Sequence, residues 1–439
     1  MSLFDAIKKF FSGFGNPESE VSEWTAELNR NSENMFSTER NSSAKTKGEP
    51  SNTTDLWGTE SQSSSQSEAG YKADEPKPES KESTELPQKP AESPNKKFDP
   101  EKSRELIIVY TAQEVRKLVK DGADPNFVSE HGFTPLMFAD DPEVIKALVE
   151  CGADPNAKDE DGYPVIVKME TPECIKTLIA CGADVNAKAE GGKTALMYCD
   201  NPEVIKVLVE CGADVNARDD DGQTALMFAD DPEVIKVLVE CGADVNARDD
   251  GRWTPLMYAK EPECIRVLLE CGADIHARDD GGESVLMCSS HDAECKKILI
   301  EAGADVNARD EDGWTPLMYM DDSECIKVLL ECGADINART NDGKTVLMVT
   351  HDAECAETLI KSGADINAKD DNGWTPLMHQ IDALEILEDP KTIEVLIEAG
   401  ADLNARNYDG VTALGLLKQS DEPNNKEVRA LLLKAGAVE

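Results

Sequence analysis

The sequence predicts an all-α solenoid, a stack of helix pairs joined by hairpin or loop tips, preceded by a disordered tail. Three observations predict it. The tripeptide Gly-Ala-Asp recurs from Gly122 to Gly400, mostly at intervals of 30 residues. Each interval contains a turn, a short apolar helix, a second helix and a loop. Residues 15–100, in contrast, hold few large apolar side chains. A fixed period of this length is typical of stacked supersecondary units.

The interval Asp221–Asp249 shows how each element is specified. Asp-Gly at Gly222 is typical of a tight turn, and Thr224 is predicted to cap the short first helix. Asp231, followed by Pro and Glu, begins the second helix, and Gly242 ends it in a left-handed conformation. The apolar side chains of the second helix fall on one face. Because so small a unit cannot bury that face alone, the units must stack.

Two repeated runs carry a resemblance to a known family. Thr-Pro-Leu-Met begins at Thr134, Thr254, Thr315 and Thr375, and Gly-Ala-Asp-Val-Asn-Ala-Arg-Asp begins at Gly212 and Gly242. Residues 101–439 thereby resemble ankyrin repeats. The resemblance implies a β-hairpin tip and an antiparallel helix pair in each unit, stacked into a curved solenoid. It also implies that the chain binds proteins through its hairpin tips and its concave inner helices.

The units depart from the usual pattern in three ways. They are 30 residues long, where about 33 is typical, and the missing residues fall between Leu-Met and Pro-Glu. The inner helix or its loop is therefore expected to be clipped. Tyr163-Pro164 replaces Thr-Pro, and Arg252 occupies the place of the turn glycine. We expect local distortion in those two units.

Composition divides the chain into a short amphipathic helix at residues 1–14, a disordered linker at 15–99 and a repeat domain of about eleven units, caps included, at 100–439. The linker is rich in Ser, Glu, Lys and Pro, so it cannot bury enough surface to offset chain entropy. Burying the apolar face of residues 1–14 would contribute about as much free energy as ordering the backbone of that segment costs. The helix is expected to form only on a protein partner, a membrane surface or the solenoid. Its face consists of Leu3, Phe4, Ile7, Phe10, Phe11 and Phe14.

Charge and cysteine usage limit the partners and the compartment. The net charge is −43, and residues 101–439 carry 33 basic against 70 acidic side chains. Such a surface repels nucleic acid and anionic lipid, so a basic protein patch is the favoured partner and membrane contact is expected to be weak. The 13 cysteines recur at regular core positions. They indicate a reducing compartment such as the cytoplasm, while export as an effector stays open.

The sequence contains no complete metal-binding, catalytic or phosphate-binding motif. Cys288, His291 and Cys295 have spacing suggestive of zinc, but no fourth ligand is evident. The histidines lie in different units and form no nucleophile–base pair, and the glycines are spaced for turns and helix ends, with no phosphate-binding loop. We therefore predict no enzyme activity, no cofactor, no metal and no small-molecule substrate.

The residue just before Thr-Pro varies between units and is the candidate binding position. Three tryptophans at these tips would be strong interface anchors if exposed, although each ring could instead pack on the neighbouring hairpin. The aromatic row on the inner helix, Phe138, Tyr198, Phe228, Tyr258 and Tyr319, is expected to pack in the core. The candidate partner-binding residues are Phe133, Tyr163, Lys193, Gln223, Trp253, Trp314 and Trp374, with the acidic tip residues Asp220, Asp250, Glu311 and Asp371.

These features favour a non-enzymatic scaffold or adaptor that binds a basic protein on an acidic, aromatic concave and hairpin face. The binding surface is expected to concentrate between Trp253 and Trp374. One alternative is a secreted or injected bacterial effector, with peripheral membrane tethering through residues 1–14. Another is a purely structural spacer, which would have no partner at all.

Overall fold

The described part of the chain is a regular succession of helix pairs. The computed structural model describes residues 98–130, 132–289, 292–387, 390–417 and 423–438. The predicted N-terminal helix and residues 15–97 of the predicted linker lie outside these ranges, as do His131 and His291. Eleven helix pairs follow one another within them. The all-α solenoid predicted from the repeat is confirmed.

The second helix is the longer one in every pair except the tenth, and it spans nine residues in nine successive units. In eight of those nine units it begins where an Asp, Asn or Thr side chain accepts backbone N–H groups; the helix Pro262–Glu270 has no such cap. Asp231 Oδ1, for example, accepts from Glu233 at 2.7 Å and from Val234 at 3.2 Å, as the sequence predicts. These long helices are Ala112–Lys120, Pro142–Glu150, Pro172–Ala180, Pro202–Glu210, Pro232–Glu240, Pro262–Glu270, Ala293–Glu301, Ser323–Glu331, Ala353–Lys361, Lys391–Glu398 and Pro423–Ala435.

The first helix of most pairs is a single α- or 3-10 turn of four residues, so the shortened part of the repeat is this helix. Exceptions are the first pair, with Pro100–Glu105 followed by Leu106–Ile108, and the tenth, with Pro376–Leu387. A further 3-10 turn, Glu190–Gly192, lies in one tip. The four-residue helices are Pro135–Phe138, Val165–Lys168, Ala195–Tyr198, Ala225–Phe228, Pro255–Tyr258, Val285–Cys288, Pro316–Tyr319, Val346–Val349 and Ala413–Leu416.

The prediction that Thr224 caps its short helix is wrong. Its side chain makes no capping bond, and its buried hydroxyl has no hydrogen-bond partner among the described residues. The N–H of Met227 bonds instead to the carbonyl of Thr224 at 3.0 Å. A one-turn helix of this kind satisfies its amide through the backbone, so the hydroxyl is left over.

The tips are tight turns, and the described residues contain no extended strand. Antiparallel bridges occur at three tips, between Lys158 and Pro164, Arg278 and Ser284, and Arg406 and Thr412. The unit that begins at Tyr163-Pro164 keeps the usual helix pair, so the distortion expected there is absent.

Arg252 does carry local backbone strain, as its position in the turn suggests. Its φ is +63°, the one positive value at a non-glycine residue in the described ranges. A glycine would adopt this conformation without a steric cost. The helix pair of that unit is nevertheless regular, so the departure stays within the turn.

An asparagine in the loop after each long helix joins most units to the next. The amide of Asn216, for example, donates to the carbonyl of Gly242 at 3.0 Å and accepts from the N–H of Asp244 at 2.8 Å. Both bonds recur at Asn126, Asn156, Asn186, Asn246 and Asn307. These asparagine bridges fix the register of the stack.

The core runs continuously between the helix pairs and contains one buried lysine. Lys296 occupies the place that Ile265 and Ile326 fill in the adjacent units, and it is 0% exposed. Its ammonium donates to the carbonyls of Leu286 and Ser289, at 2.8 and 3.1 Å. This unit is the one with 31 residues, and the lysine satisfies carbonyls of the lengthened connection. No helix in the described ranges is long and apolar enough to cross a bilayer.

Candidate interaction surface

The tip residue before Thr-Pro is held by its own turn. Trp253 donates its backbone N–H to Asp249 Oδ1 at 2.7 Å. The backbone N–H groups of Trp314 and Trp374 make the same bond to the aspartate four residues earlier. The ten tip positions are half-buried, the tryptophans included. Of the two alternatives left open for the tryptophans, the structure is nearer to packing, because each ring is half-buried and packs on its own unit. These tip positions are Phe133, Tyr163, Lys193, Gln223, Trp253, Glu283, Trp314, Lys344, Trp374 and Val411.

The last residue of the short helix, five positions later, packs against the tip residue. Ring centroids are 5.3 Å apart for Trp253 and Tyr258. They are 5.5 Å apart for Trp314 and Tyr319, and Trp374 packs on His379 at 5.4 Å. The tryptophans thus pack on rings of their own units and not on a neighbouring hairpin ring. We call the residue five positions after the tip, the last of each four-residue helix before Pro376–Leu387 and the fourth of that helix, the helix-end position; its members are Phe138, Lys168, Tyr198, Phe228, Tyr258, Cys288, Tyr319, Val349 and His379.

The turn aspartate also binds the helix-end side chain through its second oxygen. Tyr258 donates its hydroxyl to Asp249 Oδ2 at 2.5 Å, and Tyr319 donates to Asp310 Oδ2 at 2.7 Å. Burial, with the adjacent carboxylate, raises the pKa of both tyrosines, so they remain hydrogen-bond donors at neutral pH. One carboxylate thereby holds both aromatic residues of the unit.

In two units a lysine or a histidine, and not a tyrosine, contacts the second oxygen of the turn aspartate. Lys168 Nζ lies 3.1 Å from Asp159 Oδ2, and His379 Nε2 lies 3.0 Å from Asp370 Oδ2. Burial lowers the pKa of His379, although Asp370 opposes that shift. Neither helix-end residue stood out as a candidate in the sequence. Their spacing of nine residues from a buried turn aspartate is the signal that would have found them.

Contacts also join each unit to the next, so the surface is continuous. Tyr163 and Tyr198 have ring centroids 5.5 Å apart, and Gln223 donates its amide to the hydroxyl of Tyr258 at 2.7 Å. Further along, the Tyr319 hydroxyl lies 2.8 Å from Glu283 Oε1, a second carboxylate within hydrogen-bond distance. We call the tip and helix-end positions from Phe133 to His379 the tip–helix surface.

The two halves of this surface differ in exposure and charge. Phe138 is 45% exposed and Tyr198 38%, so the expectation that both pack in the core is wrong. Lys168 lies over the Tyr163 ring at 4.7 Å in this half, and a second lysine, Lys193, lies over Phe228 at 4.1 Å. Lysines therefore lie over half-buried rings in this half, while carboxylates accept hydrogen bonds from the aromatic side chains in the tryptophan half.

The acidic tip residues proposed as partner contacts are exposed and regularly placed. Each uses its backbone N–H to bond a carbonyl of the preceding tip, while its carboxylate remains at the surface. These bonds run from Asp220 to Gly191, from Asp250 to Asp221, from Glu311 to Gly281 and from Asp371 to Asp342, at 2.9 to 3.1 Å. The negative charges therefore repeat with the units.

One group of potential metal ligands occurs in the described ranges. The ligand atoms of Asp279, Glu283 and Cys288 all lie within 4.8 Å of one another. Each is already engaged: Asp279 accepts the Trp253 indole N–H at 3.2 Å, and Glu283 accepts from the Cys288 thiol and lies 2.8 Å from the Tyr319 hydroxyl. Burial and Glu283 raise the pKa of Cys288, which keeps it a thiol. We therefore assign no metal here.

One unit of the surface lacks the hydrogen bond between the turn aspartate and the helix-end side chain. Asp219 Oδ2 is buried without a hydrogen-bond partner in the described ranges, because the helix-end residue nine positions later is Phe228. We expect Phe228→Tyr to supply the missing donor and to raise the free energy of unfolding by about 1–2 kcal/mol, measured by urea titration. Tyr258→Phe should lower it by a similar amount. Equal stability of Phe228→Tyr and the parent would contradict this geometry.

Comparisons with known proteins agree with the architecture. A family model described as ankyrin repeats (3 copies) matches residues 165–249, 200–279, 256–340 and 319–407. A second model, described as ankyrin repeat, matches residues 131–160. The first model alone therefore covers more than half of the chain. A search of curated proteins gave no match.

Proposed function

The chain belongs to the ankyrin-repeat family, and on that premise we propose that it is a non-enzymatic scaffold or adaptor. Ankyrin repeats generally mediate protein–protein interaction, and the family is typically non-enzymatic. The proposed partner is a protein with a basic patch, and the proposed binding site is the tip–helix surface.

The observation that supports this proposal most directly is the continuity of the surface. From Trp253 to His379, aromatic pairs alternate with charged tips, and carboxylates hold the aromatic pairs. Half-buried aromatic side chains with fixed rotamers lose little entropy on binding. Trp and Tyr are enriched among residues that dominate interface energies. The surrounding acidic charge favours a basic partner and speeds its association.

The cytoplasm is the proposed location. All 13 cysteines are free thiols, five of them buried in long helices. Buried thiols at regular core positions are typical of proteins from reducing compartments. This support concerns redox environment alone.

The test is capture of partners by the full chain, followed by comparison of two triple variants. We expect replacement of Trp253, Trp314 and Trp374 by Ala to reduce partner capture at least about tenfold, since each is a candidate energetic hot spot. The helical circular dichroism at the assay temperature should be retained. The matched control replaces three exposed long-helix lysines with Ala and should capture normally; these are Lys146, Lys236 and Lys297.

Salt gives a second readout for the same experiment. If the partner is basic, capture should weaken as ionic strength rises from about 50 to 300 mM, because screening shortens the range of surface charge. Undiminished capture by the tryptophan variant would refute the proposed site. Capture independent of salt would refute the basic partner.

A further inference from the structure

The tryptophans of the tip–helix surface occupy every second unit. Starting from the fifth of the ten tip positions, the residues are Trp253, Glu283, Trp314, Lys344 and Trp374. Two successive gaps between tryptophans therefore hold side chains of opposite charge, Glu283 in the first and Lys344 in the second, where the Lys344 ammonium lies 2.9 Å from Asp342 Oδ2. Both are half-buried among the same row of side chains. An alternating pattern of this kind can select the spacing and the charges of a bound segment.

Each tryptophan pair lies beside carboxylate groups that favour a planar cation. The Trp253 indole N–H donates to Asp279 at 3.2 Å. The hydroxyl of Tyr319, which is paired with Trp314, lies between Asp310 Oδ2 and Glu283 Oε1, at 2.7 and 2.8 Å, and its one hydrogen bonds to either carboxylate. An aromatic face attracts a cation, and nearby negative charge strengthens the attraction. Arginine fits best, because its guanidinium is flat, weakly hydrated and able to stack on a ring.

The unit spacing fixes the distance between the two arginines. Packed helices lie roughly 8–10 Å apart, so tryptophans two units apart are separated by about 16–20 Å. An extended chain advances about 3.3 Å per residue, and its side chains share a face at even intervals. Six residues therefore span the distance with both arginines on one face. In a helix the same distance takes about 11–13 residues, and the residue halfway would face away from the tip between the tryptophans.

We propose that the preferred partner segment is an extended basic chain with arginines at positions i and i+6 and a lysine at i+2 or i+4, which keeps all three side chains on one face. The arginines stack on Trp253 and Trp314, and the lysine faces Glu283. This inference rests on the proposed function, and it adds the conformation and the residue pattern of the ligand. A segment with an acidic residue between its arginines is directed instead to Trp314 and Trp374, where Lys344 lies in the gap.

Fluorescein-labelled peptides test the spacing with the full chain by anisotropy. Their two arginines lie 3, 6 or 11 residues apart in an otherwise uncharged background. We expect the six-residue spacing to bind about tenfold more tightly than the others, the scale of one ring–cation contact. Trp314→Leu, which removes the ring common to both gaps, should abolish the preference. Lys297→Ala, on an exposed long-helix position, should leave it unchanged.

The charge of the peptide residue between the two arginines gives a second, reciprocal test. A general loss of folding would weaken binding of both peptides and could not produce the expected exchange. With lysine between the arginines, Trp253→Leu should weaken binding about tenfold and Trp374→Leu should have no effect. With glutamate between them, the two variants should exchange effects.

Equal binding at all spacings, no binding of any peptide, or no exchange between the two variants would overturn the inference. Partner capture that still depends on the three tryptophans would in that case leave the proposed function standing. Loss of that dependence would refute the proposed function itself.

Discussion

Raising the pH from 8 to about 11 is expected to lower the free energy of unfolding by on the order of 5 kcal/mol. Burial raises the pKa of Cys199 and Cys264 to about 11 and that of Cys325 and Cys355 to about 12. In the unfolded chain the same thiols ionise near pH 8.5. The folded chain therefore holds these protons more tightly, and this stabilisation is complete below about pH 8.5. It is lost as the pH rises towards the folded values.

The lowered pKa of Lys296 changes the free energy of unfolding in the opposite direction as the pH rises. Burial lowers its pKa to about 8, below its value in an unfolded chain. Its contribution to stability therefore improves as the pH rises from about 8 to 10.5, and this offsets part of the loss. The raised pKa values of Tyr258 and Tyr319 add to the loss at the alkaline end. Several thiols outweigh one lysine, so the net change is a decrease.

Urea unfolding of the reduced protein at pH 7.5, 9 and 10.5 measures this effect. A variant with Ala at Cys264, Cys325 and Cys355 should be less stable at pH 7.5, because small cavities form. It should nevertheless lose less stability on going to pH 10.5 than the parent does. A parent stability that stays flat up to pH 10.5, or an equal alkaline loss in the variant, would show that thiol burial does not control the response.

Asn216→Ala is expected to lower the free energy of unfolding by about 1–3 kcal/mol, because it removes two hydrogen bonds between adjacent units. In a solenoid, stability depends on contacts between nearest neighbours. The weakened interface lies in the middle of the stack. The unfolding transition should therefore become broader as well as earlier, as the two sides of the stack unfold less cooperatively. Thermal melts followed by circular dichroism measure both changes.

His276 provides the reverse experiment. It occupies the bridging position between its unit and the next, and no bond from its side chain to the next unit is present among the described residues, whereas Asn246 and Asn307 bridge on either side. His276→Asn should add the missing pair of bonds and raise the free energy of unfolding by about 1 kcal/mol. If Asn216→Ala and His276→Asn both leave the melt unchanged, the asparagine bridges do not hold the units together.

Local chemistry made the fold predictable. Helix starts such as Asp231-Pro232, and turn glycines such as Gly242, act over a few neighbouring residues, so their spacing along the chain is enough to place them. Repetition made the prediction firmer, because the same pattern recurs in nearly every unit. The shortened repeat was predictable for the same reason, since the missing residues fall between two recognisable helix signals.

The predictions that failed concern side chains whose surroundings come from elsewhere in the structure. Thr224 looked like a cap, but the one-turn helix satisfies its amide through the backbone. The sequence left the exposure of the tryptophans open, and residues five positions later supply rings for them to pack on. Phe138 and Tyr198 were expected in the core, but each is the last residue of a one-turn helix and lies at the surface.

The sequence by itself therefore determined the period, the helix pairs, the family and the acidic character of the surface. The tertiary structure decided which side chains meet: the turn aspartate with the ring nine residues later, the asparagine with the following unit, and Lys296 with the carbonyls of the longer connection. The physical reason is distance. Propensities, caps and turns act between chain neighbours, whereas burial and pairing depend on atoms that only stacking brings together.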